Sequence, residues 1–366
     1  MKVLELFAGA GGAALGLESA GFEHAALCEW DENACATLRA AGLGPVVEGD
    51  VRDLDAIAAV ADDVDLIWSS FPCQAWSQAG ARKGAKDDRN GWPWTVDAID
   101  RFKPKWFLGE NVRGLIQHRA KCPSRGGQGA LFGAQPELEC PGCYMERVIL
   151  ADLKKRFAHV GYWLLNAADY GVPQHRRRVI LWGGPSPLQQ PAPTHGPNGA
   201  HPWVSMGQAL GLGNKRCIGG GRNPAKGGTD RRYRDLTYEP STTVAAAQVG
   251  NAGPWVVGNL RGRAGGARME THSIDEPSRT LRHGGGSSVP YLCRLAPTVT
   301  TTEVKGTAYR APLSERRRLT VEECATLQDF PKEHPFQGTK TAKYRQIGNA
   351  VPPRLAQVVA QLVMDA

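Results

Sequence analysis

The chain has 366 residues, long enough for two domains, and its 42% hydrophobic and 22% charged content is that of a folded globular protein. Those proportions exclude a disordered tail, a collagen-like repeat and a disulfide miniprotein. The net charge of +8 is concentrated: residues 184–318 carry 18 Lys and Arg against 8 Asp and Glu, and the remainder balances at −2. A basic block between near-neutral flanks points to a polyanionic partner, nucleic acid being the commonest, with a solvated basic surface as the bland alternative. No apolar run approaches the ~20 residues that span a bilayer, so no membrane association is expected. Glu5 interrupts any leader-like run, and the nine cysteines are odd in number and lack a disulfide rhythm, which predicts a reducing cytoplasm.

The first hundred residues alternate between strand-like and helix-like patterns. Strands are expected at 3–7, 25–28, 46–48, 65–68 and 106–109, and helices at 13–20, 33–41, 54–61 and 94–102. This alternation predicts an α/β fold with a doubly wound, mostly parallel sheet. In such sheets ligands sit beyond the carboxyl ends of the strands, and the chemistry-bearing residues fall at those ends. A further strand is expected at 179–182. From 185 the texture changes, with 21 of the 44 glycines lying in 184–318, and the helical periodicity disappears. That block reads as a second, smaller, loop-rich domain with short strands. Helical patterns return at 319–328 and 353–364. The expected organisation is therefore a catalytic unit at 1–183 with an insertion at 113–144, a second domain at 184–318, and a segment at 319–366 returning to the first.

Phe7-Ala8-Gly9-Ala10-Gly11-Gly12 joins the first strand to the first helix, and glycines there let backbone approach a ligand in front of a helix N-terminus. Glu29 ends the second strand, where a carboxylate can accept from ribose hydroxyls, and Asp50 ends the third, where it can accept from an adenine amine. Gly9-x-Gly11-x-x-Ala14 also fits a loose dinucleotide fingerprint, so a nicotinamide cofactor stays open on these residues alone. Ser70-Phe71-Pro72-Cys73-Gln74 follows the fourth strand and presents a thiol at the mouth of the sheet; activation of that thiol needs a local base or a lowered pKa. Glu110-Asn111-Val112 closes the fifth strand at the same edge. Gln174-x-Arg176-x-Arg178 opens the next, and strand alternation predicts that Arg176 and Arg178 share a face.

In this order the motifs closely resemble the DNA (cytosine-5) methyltransferase family across nearly the whole chain. The resemblance extends to Glu29-Trp30-Asp31 and Gly49-Asp50-Val51. It continues to Arg318-Leu319-Thr320, Leu327-Gln328-Asp329-Phe330-Pro331 and Gln346-Ile347-Gly348-Asn349-Ala350-Val351-Pro352-Pro353. It implies an S-adenosylmethionine-dependent, Rossmann-like catalytic domain that methylates carbon 5 of a cytosine flipped out of duplex DNA, with Cys73 adding to carbon 6. Glu110 would bond N3, Arg176 would hold the O2 side, and Arg178 would support the loop or a phosphate. The cofactor would lie against Phe7, Ala8, Gly9, Ala10, Gly11, Gly12, Glu29, Trp30, Asp50, Val51, Pro72, Asn349 and Ala350. The basic block takes the place of the family's target-recognition region. Gln74, Ser77, Arg222, Arg231, Arg232, Arg234, Arg261, Arg263, Arg268 and Arg282 are its candidates for double-stranded DNA contact. A monomer acting on bacterial or phage DNA, with a cognate restriction endonuclease as a possible partner, completes the expectation.

The insertion departs from that resemblance. His118, Cys122 and Cys140-Pro141-Gly142-Cys143 have the knuckle spacing of a structural zinc site, against which loop thiols are the alternative.

Overall fold

The computed structural model describes residues 1–72, 90–118, 122, 140–211 and 319–366, together with the backbone of five short strands between 218 and 318. Its centre is a seven-stranded sheet. β1 (Lys2–Leu6), β2 (Glu23–Glu29), β3 (Val46–Glu48), β4 (Leu66–Ser69) and β5 (Trp106–Val112) run parallel. β6 (His159–Asn166) and β8 (Arg177–Gly184) complete it, in the spatial order β3-β2-β1-β4-β5-β8-β6, with β8 antiparallel to both neighbours. A two-residue strand, β7 (Gln174–His175), pairs instead with Ser241–Thr242. The mixed, mostly parallel sheet agrees with the doubly wound expectation. Its strand order reverses between β1 and β4, and the loops leaving those two strands carry Phe7–Gly12 and Pro72, so both open at the switch point.

Local signals explain the helices. Asp31 caps α2 (Glu32–Ala40) by accepting from the Ala34 amide, and Asp53 caps α3 (Leu54–Ala58) by accepting from that of Ala56. α4 (Trp92–Phe102) starts two residues earlier than expected because Pro93 sits in its first turn, where no amide donor is missed. Pro141–Tyr144 (α5) runs through a π-turn at Met145–Ile149 into Leu150–Lys154 (α6). Met145, Ile149 and Leu153 from this run join Trp92, Phe107 and Phe157 in the core on one face of the sheet.

The other face is covered by α1 (Gly12–Ser19) and the last helix. After a short helix at Met206–Ala209 (α7), regular structure with described side chains resumes at α8 (Val321–Leu327), α9 (Lys340–Asn349) and α10 (Pro353–Met364). Thr320 and Glu323 form a reciprocal capping box, which starts α8 after the expected residue 319. Leu355, Ala356, Val359, Ala360 and Val363 of α10 pack with Leu17, Trp68, Trp106 and Leu108. A β-carbon at Gly16 would lie 2.2 Å from the Pro353 carbonyl, so glycine is what lets α1 and α10 approach so closely. In the basic block, Ile218–Arg222 pairs antiparallel with Arg231–Asp235, and Tyr291–Cys293 with Arg316–Arg318.

Candidate active site

The loop after β1 is wound tightly. Phe7, Gly9 and Gly11 have φ of +58°, +58° and +84°. A non-glycine residue in this region is costly and is kept where the surroundings demand it. Gly11 also has no room for a side chain, since a β-carbon would meet Leu43 at 2.4 Å. Gly12 abuts the carbonyl of Val351 in the C-terminal Gly348–Pro353 stretch, at 2.2 Å from a β-carbon position, and His334 Nε2 donates to the Ala10 carbonyl at 2.9 Å. The C-terminal segment therefore braces the first loop from behind. Gly9 faces open space.

Glu29 lies at the centre of this half of the site. Its Oε2 accepts from the Gly9 amide at 2.7 Å, and its Oε1 accepts from the Trp30 and Asp31 amides at 2.9 Å each. Burial nevertheless raises its pKa, outweighing the lowering by those three donors. A buried anion held above its ordinary range gains from additional hydroxyl donors, which fits a ribose diol. Asp50 follows β3, which pairs with β2 so that Glu48 stands opposite Glu29. Arg52 binds its carboxylate through Nε and Nη2 and lowers its pKa. The same guanidinium lies 5.2 Å from the Trp94 ring centroid, and Trp94 lies 6.5 Å from Phe7. Of the bulky Trp92-Pro93-Trp94 run, Trp94 is therefore the ring beside Phe7, and Arg52 joins this edge without having been singled out by the sequence. Trp92, by contrast, is buried in the core. Val51 is buried and Trp30 is 78% exposed.

The other half lies at the ends of β4, β5 and β8. Arg178 Nε bonds Glu110 Oε1 at 2.6 Å, both side chains being about nine-tenths buried. β8 pairs with β5 so that Arg178 stands opposite Val112, within reach of Glu110. Asn111 Nδ2 donates to the Phe71 carbonyl at 3.1 Å, which ties the β5 end to the loop carrying Pro72. A β-carbon at Gly91 would lie 2.5 Å from Pro72 and 3.1 Å from Phe7, so Phe7, Pro72 and the start of α4 converge. Cys73, Gln74 and Ser77 follow directly and lie outside the described residues, as do Arg261, Arg263, Arg268 and Arg282. Arg222 and Arg231 are register partners in the basic block, with Arg232 and Arg234 on the same strand as Arg231; only their backbone is described.

Arg176 and Arg178, expected to share a strand face, have different partners. Arg176 falls in the break between β7 and β8, where strand alternation does not hold. Its Nη2 donates to the carbonyls of Gly348 at 3.0 Å and Ala350 at 2.8 Å, and it is 1% exposed. Gln174 donates to Gln328, and Gln328 to the same Ala350 carbonyl, so Gln174, Arg176, Gln328 and Ala350 form one buried network. Asn349 ends α9 beside it.

The insertion brings its four candidates together. Single ligand atoms of His118, Cys122, Cys140 and Cys143 all lie within 4.8 Å of one another, and the three cysteines are buried.

Comparison with known proteins decides what this arrangement belongs to. The model of C-5 cytosine-specific DNA methylases matches residues 1–364. The chain belongs to that family. Two relatives are the Type II methyltransferases M.PspPI of Psychrobacter and M.Eco47II of Escherichia coli, each 32% identical. The alignments cover 99% of this methyltransferase and 79% and 78% of those proteins. A solved structure described as a DNA modification methyltransferase encoded within an E. coli prophage shares the fold at a TM-score of 0.54 and 19% identity, over 100% of this chain and 99% of that one. The family's cofactor is S-adenosylmethionine, which the strained Phe7–Gly12 loop and the buried Glu29 carboxylate fit. Among the described residues no helix of the methyltransferase is long and apolar enough to cross a membrane.

Proposed function

We propose that this DNA (cytosine-5) methyltransferase modifies a specific site in duplex DNA through a covalent adduct between Cys73 and carbon 6 of a flipped-out cytosine. The observation that carries the reading is the Glu110–Arg178 pair, tied through Asn111 to the Phe71-Pro72 loop that leads into Cys73. Carbon 5 of cytosine is a poor nucleophile. Addition of the Cys73 thiolate to carbon 6 moves electron density to carbon 5, with Glu110 bonding N3 to offset the charge that develops on the ring. Arg178 holds Glu110 in place and, with its fork at the same edge, takes the O2 side. Arg176 is given a positioning role, because its buried Nη2 donates to both the Gly348 and Ala350 carbonyls.

Bound S-adenosylmethionine supplies an electrophilic methyl group. Phe7, Trp94 and Pro72 would enclose its adenine, Glu29 would hold the ribose, and the open side of Gly9 would admit the amino-acid end. When the carbon-5 hydrogen leaves as a proton to solvent, the electron pair returns to the ring and expels the Cys73 thiolate. A stacked base cannot be attacked this way, which is why base flipping belongs to the reading.

The basic block 184–318 supplies target recognition by its charge. The Type II relatives support a place beside a restriction endonuclease, with a monomer in the cytoplasm as the acting form. The His118, Cys122, Cys140 and Cys143 cluster takes no part in the transfer; its donor set is that of structural zinc. Incubation with S-adenosylmethionine and unmethylated genomic DNA, followed by base-resolution mapping, tests the reading. It expects 5-methylcytosine at one short recurring sequence. Duplex DNA carrying 5-fluorocytosine at that sequence should form a denaturation-resistant adduct mapped to Cys73. Methylation at adenine or at cytosine N4, or an adduct on another residue, overturns it.

A further inference from the structure

We infer that His118, Cys122, Cys140 and Cys143 bind one Zn²⁺ in a closed tetrahedral site, and that this site clamps the segment where the loop after β4 rejoins the fold. All four ligand atoms lie within 4.8 Å of one another, and the three sulfur-to-nitrogen edges are close to those of a zinc tetrahedron. Three cysteine Sγ atoms converge on one nitrogen, His118 Nδ1, at 3.9, 3.8 and 3.6 Å. Cys122 Sγ and Cys143 Sγ are 3.2 Å apart. A tetrahedral zinc with bonds of about 2.3 Å to sulfur and about 2.1 Å to nitrogen has edges of about 3.6 Å (S to N) and about 3.8 Å (S to S). A disulfide between Cys122 and Cys143 would require about 2.05 Å and would leave His118 Nδ1 and Cys140 without a reason to converge.

Three further features belong to a metal site more than to loop thiols. The far nitrogen of the ring, His118 Nε2, donates to Glu146 Oε1 at 3.1 Å, the carboxylate-to-histidine arrangement that fixes the tautomer with Nδ1 free to ligate. Gly142 lies under the imidazole, where a β-carbon would come within 2.7 Å of the ring, so the Cys140-Pro141-Gly142-Cys143 turn is shaped to admit it. The Gly142 amide donates to the Gln117 carbonyl at 3.2 Å, which docks that turn beside His118. Three thiolates and a neutral imidazole fill all four positions, so the site has no open coordination for catalysis.

The position of the cluster gives it a task, which rests on the methyltransferase reading. Tyr144 is adjacent to Cys143, and its hydroxyl accepts from Asn90 Nδ2 at 2.8 Å in the buried interior. Asn90 is the first described residue after the Cys73 segment, and Gly91 beside it packs on Pro72 and Phe7. Two turns beyond Tyr144, Asp152 accepts from Trp92 Nε1 at 3.2 Å. The run 141–154 thus grips 90–92 at two points, and zinc secures its N-terminal end to the chain leaving β5.

Elemental analysis of the purified full-length protein should find one zinc per chain, and a mercurial thiol reagent should release it. Cobalt grown in place of zinc should show the ligand-field bands of a tetrahedral thiolate site. Cys143→Ser should lose the metal. Zinc absent from the wild-type protein, or a Cys122–Cys143 disulfide in its thiol count, overturns the site, and so does full zinc retention in soluble Cys143→Ser; none of these readouts depends on methylation. Tyr144→Phe should keep its zinc and lower kcat about fivefold with KM for DNA unchanged, the loss of one net hydrogen bond at the clamp. Unchanged kcat in that variant overturns the clamp while leaving the metal site standing.

Discussion

The two halves of the sheet's carboxyl edge hold their central carboxylates by different means. At the end of β2, Glu29 is gripped by the backbone amides of Gly9, Trp30 and Asp31, so its position is set by the main chain of two strand ends. At the end of β5, among the described residues Glu110 is held by the side chain of Arg178, reaching from the antiparallel neighbour β8. Backbone donors are rigid and suit a site that binds the same cofactor in every turnover. A paired side chain can release one contact as charge moves, which suits the half where a ring gains and loses a nucleophile. The antiparallel strand is what makes that second arrangement possible, because it directs an arginine from a different part of the chain at the parallel β5 end.

The largest effect that bears on this contrast is expected at the thiol. Cys73→Ser should lower kcat by about 10⁴-fold or more while cofactor and DNA affinity stay near wild type, read by single-turnover methylation and equilibrium binding. Arg178→Ala should come next, lowering kcat by about 10²- to 10³-fold with little change in cofactor affinity. It should also destabilise the fold by about 3 kcal/mol, since Glu110 is left buried without its counter-charge. Arg176→Met should separate the two arginines: a loss of about 3 kcal/mol in stability from the buried carbonyls of Gly348 and Ala350, with a smaller effect on kcat in the protein that remains folded. If Arg176→Met proved the more damaging to chemistry at equal stability, the division of labour would be reversed.

On the other half, Glu29→Gln should weaken S-adenosylmethionine binding about 10- to 100-fold by calorimetry while leaving saturated kcat within a few-fold. A kcat collapse at saturating cofactor would erase the distinction between the halves.

The smallest effect concerns β1. Glu5 is fully buried, and burial raises its pKa although the hydrogen bond and charge of His24 oppose this. The folded state therefore keeps a proton that the unfolded chain has already released, so stability falls as pH rises from the ordinary value near 4.5 through the raised one. Glu29, Asp169 and Asp329 are shifted the same way by burial. Glu5→Gln should raise Tm by about 2 °C at pH 8 and change it little at pH 4.5, by scanning calorimetry.

Much of this molecule was legible from residue order alone. Apolar runs mark β1 to β5, Asp31 and Asp53 mark the starts of α2 and α3, and the strand-end position of Glu29, Asp50, Pro72 and Glu110 follows from chain order, because a parallel sheet puts every such end on one edge. The helical run 141–154, the strand 159–166 and the helix 340–349 carried no comparable signal. The first is broken by a π-turn, and Gly161 and Gly348 weaken the patterns of the other two. What only the three-dimensional arrangement decided was partnership. Chain order cannot show that Arg178 meets Glu110 while Arg176 turns to Gly348 and Ala350, because that depends on a strand break and an antiparallel register. The spacing of His118 and three cysteines over 26 residues suggested a knuckle but left loop thiols open, and only packing brings their ligand atoms within 4.8 Å of one another. Local sequence writes periodicity and caps into a few neighbouring residues, whereas contacts between distant side chains exist only once packing has brought their elements together.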